Sequence, residues 1–454
     1  MRYIAQELAA YAHGLRFESL GSNAVREAKL RLMDGLGCAM GALAEKPSRK
    51  AYAPVPLVGK GLRATLLAGG GDTSPEWAAW ANGYAVRYLD WNDTYLSKEP
   101  AHPSDCIGAV LACAEAAGKG GKDLLMAMAL SYEVQCRLCD AASLRAKGWD
   151  HVNYLLVSTA LAAGKLLGLK EEQLAEAVNI ALNNLSTRQN RAGRLGEWKA
   201  GAAPNSARNG VFAALLAKEG FAGPEEMFEG KWGFQALVSG PFQVETGKWG
   251  GGERPFLVER TILKKHNAEI HSQSAVDAAL ALREKLPSLN QVEGVLIETH
   301  EAGYTIIGSG AEKWAPENKE TADHSLPYIV SVALFDGEVG AAQYRPQRIK
   351  DPKVRKFLQR VKVQENKAYT AQYPAAQPNK VMVKLQSGKT LAEEAYYPRG
   401  HPGNPMGATE VEEKFRKLAR ASLNEKRVEA ALAMVRKVEE LKSVDRLVDA
   451  FVVK

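Results

Sequence analysis

Residues 274–300 read SAVDAALALREKLPSLNQVEGVLIETH. The first half spaces its alanines, valine and leucines at three and four residues, the period of a helix with one apolar face. After Pro287 the pattern changes, and VEGVLIETH, rich in β-branched residues, reads as a strand. Upstream the text is helical almost throughout. Segments 22–44, 75–89, 105–117, 122–143, 156–168, 173–185 and 204–219 repeat the three- and four-residue spacing. The glycine runs between them (69–71, 118–121, 250–252) match no phosphate-cradling spacing and read as loops. Downstream come RVKVQEN and NKVMVKLQSGKTLAEEAYYP, the latter a hairpin turning at Ser387-Gly388, and after Pro398 the helical pattern resumes. The expected fold is mainly α with a smaller α+β domain. A large helical domain is built from both chain ends, 1–264 and 400–454, and an α+β domain is inserted at 265–399. Such an insertion is easy to accommodate because the termini of a domain often lie close together.

The bulk numbers fit. With 454 residues, 46% of them hydrophobic and 24% charged, the chain has material for two or three cores. The opening MRYIAQELAAYAHGL reads as an amphipathic helix and not a signal peptide, no stretch of about 18 uncharged apolar residues appears, and the expected location is the cytoplasm. The net charge of +7 suggests nucleic acid at first sight. Its distribution does not: bases alternate with acids along most of the chain, and the richer patch Lys350–Lys367 lacks aromatic residues interleaved to stack bases. A positive balance also suits attraction of di- or tricarboxylates.

Of the five cysteines (Cys38, Cys106, Cys113, Cys136, Cys139), Cys136 and Cys139 form a CxxC inside a helical pattern and read as core residues. No thiolate set for an iron–sulfur cluster is visible. HExxH is absent, and the five-residue spacing of His266 and His271 does not put both on one helix face, so no metal and no cofactor are expected. A GxSxG elbow is missing as well, which leaves hydrolase chemistry without support.

Histidine, the usual proton shuttle near neutral pH, occurs eight times, mostly in polar or glycine-rich segments. The densest polar cluster is 87–95, RYLDWNDTY, followed by 101–105, AHPSD. A helix follows whose N-cap would be Ser104 or Asp105, and a helix N-terminus favours a carboxylate there. The bland reading has the acids and Thr94 capping turns and His102 on the surface; from the residues alone the two readings weigh evenly. Further clusters are 147–151 (KGWDH), 187–191 (TRQNR) with 197–199 (EWK), 264–271 (KKHNAEIH), 323–328 (DHSLPY) and 399–402 (RGHP). Arginine suits bidentate carboxylate recognition, and lysine neutralises an enolate or a second carboxylate.

Taken in order, RYLDWNDTYLSKEPAHPSD, GWDHVNYLLVSTA, EWKAGAAPNSARNGVFAALLAKEG, LKKHNAEIHSQSAVDAAL, ADHSLPYIVSVAL and RGHPGNPM resemble the MmgE/PrpD family over nearly the whole chain. That family includes iron–sulfur-independent 2-methylcitrate dehydratases, cis-aconitate decarboxylases and an iminodisuccinate epimerase. The resemblance implies a large helical and a smaller α+β domain, a homodimer, and a pocket lined by Asp90, Thr94, His102, His151, Lys199, Lys264 and Tyr328. It makes Arg188, Arg191, His271 and His324 carboxylate-binding or orienting residues, alongside Ser104.

All these reactions pass through a carbanion-like state next to a carboxylate. In a dehydratase His151 or His102 would be the base, with Asp90 orienting its imidazole. The partner histidine or Tyr328 would protonate the leaving hydroxyl, and Lys199, Lys264 and the arginines would hold carboxylates. Two segments depart from the family pattern. Lys264-Lys265-His266-Asn267-Ala268-Glu269 replaces Lys-x-Tyr-Pro-Ala-Glu, and Gly400-His401-Pro402-Gly403 lacks an arginine run and looks like the MmgE branch. The leading expectation is a 2-methylcitrate dehydratase, with citrate as a candidate second substrate. An epimerase, a cis-aconitate-type decarboxylase and, last, a basic helical binding protein are the rivals.

Overall fold

The computed structural model describes residues 2–58, 61–193 and 195–454, without the side chain of Arg191. It is mostly helical and divides into two compact units. One comprises Met1–Ala192, Trp198–Thr261 and Gly407–Lys454; the other comprises Gly193–Glu197 and Ile262–Met406. Lys264, last in the helical part by the sequence reading, thus falls in the second unit, as does the short run 193–197.

The first unit is helical. Its helices include Gly21–Leu43, Pro75–Tyr88, Ile107–Ala116, Gly121–Ala141, Val152–Leu166, Trp198–Lys218 and, from the chain's far end, Ala408–Ala419. A two-stranded sheet, β1 (Ala64–Thr65) and β2 (Asp72–Thr73), is its only sheet among the described residues. Small residues decide how closely these helices cross. A Cβ on Gly108 would lie 2.5 Å from the backbone nitrogen of Gly83, and a Cβ on Gly83 would lie 3.2 Å from that of Pro204. Helices Pro75–Tyr88, Ile107–Ala116 and Trp198–Lys218 therefore meet almost backbone to backbone, which fixes the ends that carry Arg87 and Lys199.

Two helix starts differ from the sequence reading. The helix expected from 156 begins at Val152, directly after His151. The one expected from 204 begins at Trp198, so Pro204 lies inside it and Lys199 is in its first turn. The spacing suggested a proline at the helix start, where its missing N–H costs nothing; the alanine- and glycine-rich run upstream extends the helix past it.

The second unit holds a four-stranded sheet in the order β4-β3-β5-β6, made of β3 (Val292–Thr299), β4 (Val361–Glu365), β5 (Asn379–Leu385) and β6 (Thr390–Ala395). β3 runs parallel to β4 with Val295 opposite Val361 and antiparallel to β5 with Val295 opposite Val383, and β5 and β6 form the hairpin. Helix Gln273–Lys285 packs on β5 and β6 and against helix Leu326–Asp336. The core gathers Val292, Val295, Ile297, Val381 and Val383 under Val276, Ile329 and Val332. The alternation of buried and partly buried residues along β5 is what a strand with one covered face requires. No described helix in the chain is long and apolar enough to cross a membrane.

Candidate active site

In the helical unit the site begins where helix Pro75–Tyr88 ends. Asp90 has φ +55°, the only positive φ outside glycine among the described residues. The left-handed conformation costs an ordinary residue about 1–2 kcal/mol, and aspartate is among the few that adopt it. The turn buries its carboxylate between two cations: Arg87 Nη1 at 2.7 Å and Lys199 Nζ at 3.1 Å. Arg87 also faces Asp105, with Nε 3.8 Å from Oδ1. Burial pushes the Asp105 carboxyl up to about 7, against the opposing pull of Arg87 and a hydrogen bond from Asn92.

The chain then loops out and back. Tyr95 and Ala101 exchange backbone hydrogen bonds of 2.8 and 2.9 Å across the loop. Glu99 Oε2 at its tip accepts the backbone N–H groups of Leu144 and Arg145, while Asp140 Oδ1 accepts the hydroxyls of Tyr95 and Ser97. Trp91 is held from the far end of the sequence: Lys414 donates to its carbonyl at 2.8 Å and lies over its ring, and it forms a buried ion pair with Asp34 at 2.6 Å.

This anchored loop presents His102. Its Nδ1 lies 2.8 Å from the Asp93 carbonyl and 3.1 Å from Thr94 Oγ1. A carbonyl oxygen only accepts, so Nδ1 carries the hydrogen and Nε2 is the basic nitrogen of the neutral ring. Ser104 and Asp105 do not cap a helix as expected. A 3₁₀ turn, Pro103–Cys106, precedes helix Ile107–Ala116, and neither side chain bonds its first turn. Ser104 N–H instead donates to Asp93 Oδ1, so the chain's own carboxylate occupies the anion position proposed for a ligand.

His151, at the start of helix Val152–Leu166, stands 5.7 Å from His102 between ring centres, edge to face. Asp150 Oδ1 is 3.6 Å from its Nε2, and Asp150 Oδ2 accepts Asn190 Nδ2 at 2.8 Å. A narrow recess, with room for about one water, is lined by Arg87, Asp150, His151, Asn190 and Lys199, among others. Arg188 is exposed on the 3₁₀ turn Arg188–Arg191, where its N–H bonds the Gly148 carbonyl at 2.9 Å. The side chain of Arg191 lies outside the described residues.

The α+β unit carries a second polar cluster. Lys264 is fully buried. His266 bonds Asp277 through Nε2 at 2.8 Å, which ties the departing KHNAE segment to helix Gln273–Lys285. Glu269 accepts the backbone N–H of His271 at 2.8 Å and meets its Nδ1 at 2.7 Å. Burial pushes the Glu269 carboxyl up, yet the charge and hydrogen bond of His271, with His324 and Lys264 nearby, hold it down at about 2. His271 Nε2 meets the Tyr373 hydroxyl at 3.2 Å, and Tyr373 stacks on His300. Asp323 joins His324 Nδ1 at 2.7 Å to Lys319 at 2.9 Å. Tyr328 is a core residue, fully buried, with its phenol donating to the Gln343 carbonyl at 2.5 Å.

Comparison with known proteins gives these residues a setting. The MmgE/PrpD N-terminal domain matches residues 6–247, and the MmgE/PrpD C-terminal domain matches 266–440. The chain belongs to the MmgE/PrpD family. Among its MmgE/PrpD relatives, "2-methylcitrate dehydratase, mitochondrial" of Yarrowia lipolytica is 30% identical, covering 99% of this chain and 90% of that protein. The 2-methylcitrate dehydratase of Cupriavidus necator is 32% identical over 91% of this chain and 92% of its own length. That of Escherichia coli K12 is 30% identical over 85% and 84%.

Against the sequence reading, this MmgE/PrpD enzyme brings together Asp90, Thr94, His102, His151 and Lys199 in its helical unit and groups Lys264, His271 and His324 in the other. Asp90, expected to orient an imidazole, is engaged by Arg87 and Lys199, and the carboxylate beside His151 is Asp150. Arg87, Asp150 and Asn190 all lay inside quoted motifs and went unnamed. Their neighbours in sequence suggested polarity, but pairing is long-range: Asp150 and Asn190 lie 40 residues apart, and Asp90 and Lys199 lie 109 apart.

Proposed function

We propose that this chain is a hydro-lyase that removes water from 2-methylcitrate, with citrate as a second substrate, to give the unsaturated tricarboxylate by general acid/base catalysis. One observation carries the reading: the loop holds His102 as the Nδ1–H tautomer, so the basic Nε2 belongs to a ring 5.7 Å from a second histidine. Elimination needs such a pair. His102 Nε2 takes the proton α to a carboxylate, and His151, with Asp150 beside it, returns a proton to the departing hydroxyl, which leaves as water. Lys199, and Arg188 on its exposed turn, neutralise substrate carboxylates, which stabilises the enolate-like charge that develops. The relatives named above support the choice of substrate. Iron–sulfur chemistry is not invoked: Cys106, Cys113, Cys136 and Cys139 are buried, and burial raises their thiols, which disfavours thiolate ligands.

The test is the absorbance of purified, chelator-treated protein mixed with 2-methylcitrate. Growth of the conjugated alkene is expected. A flat trace refutes the dehydration. Deuterium uptake from solvent into a dicarboxylate without alkene formation would then assign an isomerase.

A further inference from the structure

We propose that Asn190 recognises the substrate's hydroxyl group and thereby selects 2-hydroxy tricarboxylates over their deoxy counterparts. The inference rests on the dehydration proposed above and deepens it. Asn190 follows Arg188 on the turn Arg188–Arg191 and lines the recess shared with His151 and Lys199. The two faces of its amide are distinguished by its neighbour. An ionised carboxylate only accepts hydrogen bonds, so the group facing Asp150 Oδ2 at 2.8 Å must be the amide NH₂. That assignment leaves Oδ1 as an acceptor, and it is buried without a hydrogen-bond partner among the described residues. Buried polar atoms are nearly always paired, and one that is not calls for an explanation.

The recess narrows the choice of donor. Besides Asn190, its polar lining is Arg87, Lys199, Asp150 and His151. The two cations attract carboxylates, and a carboxylate has no hydrogen to give Asn190. A ligand that satisfies both the cations and Oδ1 carries negative charge and a hydrogen-bond donor together, as a 2-hydroxy acid does. Asp150 then has two neighbours with one purpose: it fixes the amide that grips the hydroxyl, and it stands 3.6 Å from the histidine that protonates that hydroxyl. The turn itself is pinned at Arg188, whose backbone N–H bonds Gly148, so the amide is held in place before substrate arrives.

The experiment is calorimetric binding of citrate and of propane-1,2,3-tricarboxylate, which lacks only the hydroxyl, to the full chain. Wild type should bind citrate about tenfold more tightly, the share of one well-made hydrogen bond. Asn190→Leu should lose that preference while its affinity for the deoxy compound stays within about twofold. Asn190→Ser, which keeps a short hydroxyl acceptor, should recover part of it. Equal wild-type affinities for the two compounds, or a preference that survives in Asn190→Leu, would overturn the role. Because the readout is binding, it stands apart from turnover. Wild type that discriminates through Asn190 yet forms no alkene upholds the hydroxyl contact and refutes the dehydratase.

Discussion

Replacing Lys414 by methionine offers the sharpest test of how the loop that presents His102 is held. Lys414 Nζ touches Asp34 at 2.6 Å and the Trp91 carbonyl at 2.8 Å, and both side chains of the ion pair are buried. Breaking a buried pair by removing one partner costs about 3–5 kcal/mol, chiefly because the other charge is stranded. Here the stranded group has an escape. Burial already holds the Asp34 carboxyl above its ordinary range, with Lys414 pulling the other way, so removing Lys414 raises it further. An aspartate whose folded value is raised binds its proton more tightly when folded. Its unfavourable contribution is absent below the unfolded value near about 3.9 and complete above the folded one. The loss in Lys414→Met should therefore reach about 3 kcal/mol at pH 8 and shrink steadily towards pH 5. Urea unfolding at both pH values measures it. The double variant Lys414→Met/Asp34→Leu should regain most of the stability, since an apolar pair of similar volume replaces a buried ion pair at little cost. It should not regain full turnover, because the anchor from Lys414 to the Trp91 carbonyl is still missing. A loss below about 1 kcal/mol at pH 8, or one equal at both pH values, would refute this account of the loop.

Three further predictions follow from the site. His102→Gln and His151→Asn should each lower kcat by about 10²–10⁴ with little change in KM, and steady-state kinetics that show full turnover in either variant remove that histidine from the mechanism. Lys199→Met should raise KM for the tricarboxylate by about tenfold or more, and Lys199→Arg should recover part of it by keeping the charge beside Asp90, as read from initial rates. Asp105→Asn should abolish a pH dependence of stability. With its carboxyl raised to about 7 by burial, Asp105 makes the wild type lose stability as pH climbs from about 4 to 7, and urea midpoints across that range should flatten in the variant.

Much of the fold was legible because local pattern and tertiary role agree. The alternation in 379–385 survives as β5 with one face covered, and Ser387-Gly388 closes its hairpin. The parallel partnership of β3 with β4 was not legible, since nothing in VKVQE specifies a neighbour more than 60 residues upstream. In the site, residue types pointed to polarity and not to pairing. Asp90 was expected beside an imidazole, and no local signal announced the left-handed turn that brings it to Arg87 and Lys199. Tyr328 was nominated by resemblance, but it sits in the apolar run LPYIVSVAL, and such a run signals core packing for every ring it carries. Asn190 was hidden for another reason: what singles it out is one oxygen that no described residue satisfies.

The two-ended construction of the helical unit has a consequence for how the protein comes into being on the ribosome. Asp34 and Trp91 are made more than 300 residues before their shared cation, Lys414. The stretch 262–406, which forms the other unit, must be synthesised in between, on the order of ten seconds of elongation. Throughout that interval the nascent chain carries His102 on a loop that still lacks its clasp. Turnover should therefore begin only after Lys414 has emerged, and ribosome-bound chains stalled before Lys414 should be silent.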